Sequence, residues 1–261
     1  RIAKRLQQAT HAHRTDAGQH VERDQFFQFG HQRALWTGFF AWSKSEMNVL
    51  RKMTRKQASV LAARHLVFHH PPMLETTAAL KALLLKKSVR TGNFTLASGK
   101  QSDLYIDCRV TALDPFGANL IGDLGWHAVR SKIHSEHLKI DAIGGMTLGA
   151  DPISLAIGMT SAAKHPDEAL QVFTVRKEPK GHGAGKQIEG NFQSGNTVIV
   201  VDDVITTGGS TLKAIDAIER EGGKVAFCLV LVDREEGGRQ AIEARGIHVL
   251  PLFTRRTLLG E

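Results

Sequence analysis

An α/β domain with a parallel sheet flanked by helices, preceded by a poorly structured N-terminal leader, is the fold class that three observations predict for this 261-residue chain. From Met73 onward, short apolar runs alternate with helix-patterned stretches, the texture of repeated strand–helix–strand units. One of these runs passes through acidic, hydroxyl and glycine residues straight into a helical pattern. The first 72 residues hold neither a helical nor an alternating period, and their charge differs from that of the remainder.

Residues 1–72 carry 12 Lys and Arg against 4 Asp and Glu, whereas residues 73–261 carry 22 of each sign. The whole net charge of +8 therefore lies in the leader, which also holds 7 of the 13 histidines. A basic chain attracts phosphate polyanions, but the body here is neutral, so no nucleic-acid partner is expected. Two units follow: a basic leader, 1–72, outside the catalytic fold, and a domain over 73–261. The chain opens on Arg1, which suits a fragment, a processed chain or a reading frame taken upstream of the true start, with Met47, Met53 and Met73 as candidate starts. Asp16, Glu22 and Asp24 argue against a transit peptide. Apolar runs such as 82–85 and 198–201 stop far short of the ~18 residues of a membrane span. Cys108 and Cys228 are too few for a disulfide framework or a zinc site; both read as core filler in a reducing, cytoplasmic setting.

Strands are expected over residues 140–144, 171–175, 197–201, 225–232 and 247–252. Between the third and fourth, a helix over 210–221 is marked by Leu212, Ile215 and Ile218 at three-residue spacing, with Gly222 and Gly223 as terminators. Gly181, Gly183, Gly185 and Gly190 make 181–190 an expected mobile loop.

The most informative stretch runs from Thr197 to Thr211. Four apolar residues, Val198 to Val201, meet Asp202 and Asp203, then Val204, Ile205, Thr206, Thr207, Gly208, Gly209, Ser210 and Thr211. Two glycines let the backbone approach an anion closely, and the amides opening the next helix direct their dipole at it. The hydroxyls of Thr206, Thr207, Ser210 and Thr211 are further donors. Carboxylates at the carboxyl end of a parallel strand stand where such sheets bind ligands and can accept from a ribose diol. A phosphate cradle beside diol acceptors describes a ribose 5-phosphate. A Walker loop is excluded because no Gly-Lys-Ser/Thr ending follows, and the Rossmann glycine pattern is absent.

This stretch resembles the binding motif for phosphoribosyl diphosphate (PRPP) in type I phosphoribosyltransferases. The resemblance implies a Rossmann-like parallel sheet with a small hood, and the use of PRPP with Mg2+ carried on its diphosphate instead of in a protein metal site. Three other stretches resemble the orotate branch of that family. Arg176, Lys177, Glu178, Lys180, His182 and Gly183, closed by Ile188 to Gly190, match its catalytic loop. By that resemblance, Arg176, Lys177, Lys180 and His182 are the catalytic donors for departing pyrophosphate. The stretch 91–109, with Phe94, Leu96, Ser98, Gly99 and Ser102, resembles the amino-terminal signature. Ala97 stands where some members place a functional lysine; Lys100, three residues on, is the candidate to approach the diphosphate, and Tyr105 packs either on the base or in the core. The stretch 141–152 resembles the pyrophosphate loop, with Thr147 and Leu148 in place of an aromatic–lysine pair. Arg234, followed by Glu235, Glu236, Gly237 and Gly238, reads on residue type alone equally as a surface ion pair with Glu235 or Glu236; the resemblance implies that it holds the orotate carboxylate, with help from Thr206.

The expected activity is thus transfer of ribose 5-phosphate from PRPP to orotate, giving orotidine 5'-monophosphate and pyrophosphate, by a homodimer that shares its basic loop across the interface. The rival readings are a phosphoribosyltransferase for another base, and a PRPP-sensing regulatory protein that uses the basic leader on RNA.

Overall fold

The computed structural model describes residues 73–95, 101–178 and 186–261. The leader, residues 96–100 and residues 179–185 lie outside them, and with them fall the expectations for Lys100, Lys180, His182 and the loop glycines Gly181, Gly183 and Gly185.

Helix α1 (Met73–Lys87) leads into an antiparallel ribbon of β1 (Val89–Thr95) and β2 (Gln101–Ile106), a separate two-stranded sheet that forms the hood. The chain then builds α2 (Arg109–Ala112), α3 (Pro115–Ser135), β3 (Ala142–Met146), α4 (Ala150–Lys164), β4 (Gln171–Val175), β5 (Ile188–Gly190) and β6 (Thr197–Ile205). It ends with α5 (Gly209–Arg220), β7 (Lys224–Asp233), α6 (Gly238–Glu243), β8 (Val249–Thr254) and α7 (Arg255–Leu259). The main sheet has the order β5-β4-β3-β6-β7-β8 and is parallel except for β5, which runs against β4.

Continuous apolar runs form the central strands because both faces of the sheet are covered. On β6, Ile199 and Val201 join a core with Leu80 and Leu84 of α1, Ile121 and Trp126 of α3, and Ile153 and Ile157 of α4. Val198 and Val200 point the other way, against Ile215 and Ile218 of α5 and Ile242 of α6. Each fully buried isoleucine contributes about 1.5–3 kcal/mol. Local signals set the ends: Asp114 accepts from the amides of Phe116 and Gly117 at 3.0 Å, with Pro115 opening α3. Cys108 and Cys228 are free and buried, as core filler should be.

Two expectations change. The strand expected over 197–201 extends to Ile205, since its ladder with β7 continues through Val204–Val232 and Ile205–Asp233; the acidic pair therefore lies within the strand instead of beyond it. Residues 188–190, expected to belong to a mobile loop over 181–190, instead form strand β5 and add the antiparallel edge; three residues are too few for a visible period.

Candidate active site

Parallel strands deliver their following loops to one edge of the sheet, where open α/β sheets bind ligands. Four segments meet that edge: 147–149 after β3, 176–178 after β4, 206–208 after β6 and 234–237 after β7.

The segment after β6 is held by backbone. Gly208 has φ +79°, the left-handed region that suits glycine, and opens α5. The amide of Gly238 donates to the Thr206 carbonyl at 2.7 Å. A Cβ on Gly238 would stand 2.6 Å from that carbonyl oxygen, and one on Gly208 would stand 2.9 Å from the Gly238 carbonyl oxygen, so the two glycines interlock without room for a side chain. Thr207, Gly209 and Ser210 are exposed around the amino end of α5, while Thr206 and Val204 are half-buried and Ile205 is buried. An anion placed there meets outward-pointing amides and the positive end of the helix dipole.

The two carboxylates have different surroundings. Asp202 is buried; its Oδ2 accepts from Ser210 Oγ at 2.8 Å and Thr211 Oγ1 at 2.6 Å, and its Oδ1 from the Asp203 amide at 3.0 Å. Ser210 and Thr211, both expected among the outward hydroxyl donors, instead give their hydroxyl hydrogen bonds to Asp202, because the first turn of α5 folds back over the strand end; Thr211 is buried and Ser210 stays exposed. Burial raises the Asp202 carboxyl above its ordinary range, against the pull of the Thr211 and Ser210 hydroxyls. Burial also raises Asp203, and the neighbouring Asp202 charge adds to it. A Cβ on Gly149 would stand 2.4 Å from Asp203 Oδ1, so the turn after β3 reaches the carboxylate only as glycine. That turn is braced by Asp151, which accepts from Thr147 Oγ1 at 2.7 Å and also from Thr174 Oγ1 of β4.

Arg176 and Lys177 leave β4 exposed. Their stem is tied by Gln187: the Arg176 amide donates to the Gln187 carbonyl at 2.9 Å, and Gln187 Nε2 donates to the Arg176 carbonyl at 2.8 Å. The Gln187 amide donates to Glu221 at 3.0 Å, and its Oε1 accepts from Arg220 at 2.7 Å, so the stem is fastened to the carboxyl end of α5.

Arg234 follows β7, and its amide donates to the Ile205 carbonyl at 3.0 Å, which brings it beside Thr206. It is 4% exposed, not a surface residue, and its guanidinium lies 2.6 Å from Glu236. Glu235 turns instead to Arg256, at 3.4 Å. Tyr105 is 38% exposed on the hood, its ring 5.6 Å from that of Phe94. Gly149 and Asp151 lie in the stretch that resembles the pyrophosphate loop and Gly238 closes the Arg234 stretch, but the contacts these residues and Gln187 make are found only in the structure. A glycine beside a motif and a lone glutamine carry no local signal of the contact they make. Among the described residues no group of three His, Cys, Asp or Glu gathers to hold a metal ion.

The family model of the phosphoribosyl transferase domain matches residues 161–244, the span that contains β4, β6, α5 and β7, and so defines the class of protein. The orotate phosphoribosyltransferase of Rhodopirellula baltica is 43% identical over 179 residues, covering 69% of this chain and 92% of that protein. That of Aquifex aeolicus is 43% identical over 183 residues, covering 69% and 96%. Among solved structures, the Mycobacterium tuberculosis orotate phosphoribosyltransferase superposes with a TM-score of 0.59 at 36% identity, covering 70% of this chain and 98% of that one. This chain belongs to the orotate phosphoribosyltransferase family.

Proposed function

We propose that this chain transfers ribose 5-phosphate from Mg-bound PRPP to N1 of orotate, releasing pyrophosphate. The observation that carries the reading is the adjacency of an anion cradle, 206–210, with a buried arginine, Arg234, at the ends of neighbouring strands. A phosphate and a second, planar anion can be held side by side there. The 206–210 segment takes the 5-phosphate, Asp203 accepts from the ribose diol with Asp202 behind it, and Arg234 with Thr206 orients the orotate carboxylate. The bond from C1 to the diphosphate oxygen breaks as the bond to N1 forms. Arg176 and Lys177, joined by Lys180, His182 and Lys100, meet the charge that develops on the leaving group. Magnesium enters as part of the substrate, carried on its diphosphate.

We assign the catalysis to residues 73–261 and the cytoplasm as its compartment. The active form is a homodimer that shares the basic segment between protomers. Exposed apolar side chains on helices packed against each other, Val110 on α2, Phe116 on α3 and Leu155 and Met159 on α4, support a self-association face.

The test is loss of orotate absorbance on mixing the full chain, and in parallel a chain beginning at Met73, with PRPP and magnesium in the presence of adenine, hypoxanthine and uracil. Consumption of orotate alone is expected; consumption of another base, or of none, overturns the assignment. For the shared site, mixing a Lys177→Ala chain with an Asp203→Asn chain restores activity through the heterodimer. Two inactive parents that stay inactive when mixed place both residues in one protomer's site.

A further inference from the structure

The cation assigned to the orotate carboxylate already has a carboxylate of its own chain. Glu236 Oε1 lies 2.6 Å from Arg234 Nη2, and the two side chains are unequally placed: Arg234 is 4% exposed and Glu236 35%. Both two-point faces of a guanidinium use Nη2, once with Nη1 and once with Nε, and the Arg234 Nε is buried. Nη2 carries two N–H groups, one for each face, so a planar carboxylate that takes Arg234 in a bidentate pair is brought up against Glu236 at the same nitrogen, and two carboxylates on one buried cation repel each other and leave an uncompensated negative charge.

Backbone placement gives the two partners different freedom. Arg234 continues directly from β7, with its amide bonded to Ile205. Glu236 stands on a turn between Glu235, φ 59°, and Gly237, φ 94°, neither of which belongs to a helix or strand. Other acids in the neighbourhood are engaged elsewhere: Glu235 faces Arg256 at 3.4 Å, Asp103 faces Arg255 at 3.1 Å, and Asp233 Oδ1 accepts from the Glu235 amide at 2.8 Å. A buried cation left without an anion is costly, so the chain without substrate needs a resident partner.

We propose that Glu236 is a displaceable counter-ion, holding Arg234 in charge balance until the carboxylate of an anionic base takes its place. Binding is then an exchange of one carboxylate for another. An uncharged base has nothing to offer Arg234 in return for moving Glu236, and is rejected for that reason. The inference rests on the reading of Arg234 as the orotate-binding residue.

The test compares orotate binding, PRPP KM and ligand-free Tm in the full-length chain and in Glu236→Gln, which keeps shape and removes charge. Orotate binding should tighten roughly tenfold, PRPP KM should stay within about twofold, and ligand-free Tm should fall while the rise in Tm on adding orotate grows. Benzoate, a planar carboxylate that is not a substrate, should become a stronger competitor. Weaker or unchanged orotate binding in Glu236→Gln overturns the proposal, since Glu236 then orients Arg234 or is indifferent to the ligand. Should Glu236→Gln fail to fold, Glu236→Asp keeps the charge on a shorter arm and should shift orotate binding in the same direction by less; no shift or the opposite one overturns the proposal equally. Arg234→Ala separates the two layers of argument. Unchanged orotate binding in that variant removes the reading of Arg234 itself, whereas a large loss there combined with no tightening in Glu236→Gln removes only the exchange.

Discussion

The segments that follow β6 and β4 leave the same edge of one sheet and are held in opposite ways. After β6, the backbone of 206–208 is locked between Gly238 and the first turn of α5, with Asp202 fastening that turn from beneath. After β4, Arg176 and Lys177 are exposed, and the stem is fixed by hydrogen bonds to Gln187 instead of by packing. The difference suits two tasks. A phosphate bound in both ground and transition states is best met by donors that are already in place, at no cost of ordering. Charge on a departing group is met by long cations that must remain solvated until they are needed. The first task constrains backbone and the second only the identity and the root of the side chains.

Gly238→Ala should break the stronger half of this comparison. Its Cβ has no room against the Thr206 carbonyl and the Gly208 amide, at 2.6 and 2.7 Å, so the cradle must shift. We expect kcat/KM for PRPP to fall by about a hundredfold or more, chiefly through KM. Steady-state kinetics with PRPP varied checks this, and an unchanged PRPP KM would show that the interlock does not shape the cradle.

Gln187→Ala should separate the other half. It removes the side-chain ties to Arg176 and Arg220 but touches no part of the cradle. We expect kcat to fall about tenfold while PRPP KM changes less than about twofold and Tm drops by a few degrees. A loss confined to Tm, with kcat intact, would make Gln187 a structural residue only.

Asp203→Asn should move stability in the direction opposite to Gln187→Ala, and that sign is diagnostic. Burial and the Asp202 charge raise the Asp203 carboxyl in the folded chain, so its contribution to stability is full below the unfolded value of ~3.9 and is lost as pH rises through the raised folded value. At pH 7.5 the asparagine variant should therefore be more stable than the parent by on the order of 1–2 kcal/mol, and the advantage should fade as pH falls through the raised value. PRPP binding should weaken in the same variant, a gain in stability against a loss of function. Thermal melts of both chains from pH 4 to 8 measure this; a lower Tm for the variant at neutral pH would show the Asp203 charge to be compensated.

Much of the site was legible because its chemistry is contiguous. Residues 202–210 form one strand–turn–helix unit, and the helix expected over 210–221 is Gly209–Arg220 in the structure. Central strands were visible as apolar runs since both their faces are covered. The extension of β6 through the acidic pair was hidden, because Asp202 and Asp203 interrupt the run and only pairing with β7 keeps the ladder going. Position could not be read for residues whose partners are remote in sequence: Gly149 beside Asp203, Gly238 beside Thr206, and Gln187 beside Arg220.

Resemblance to the orotate branch supplied the set of cations that makes orotate transfer the expected chemistry; by itself, the sequence determined the class of fold and the phosphate cradle. These depend on local backbone preference, on period and on residue type, all of which are written in neighbouring positions. Only the tertiary structure decided which carboxylate is buried under hydroxyls and which faces the ligand edge, and that Arg234 comes to Thr206 already paired with Glu236. Those outcomes depend on how strands distant in the chain lie side by side, and on how much water that packing leaves at each charge.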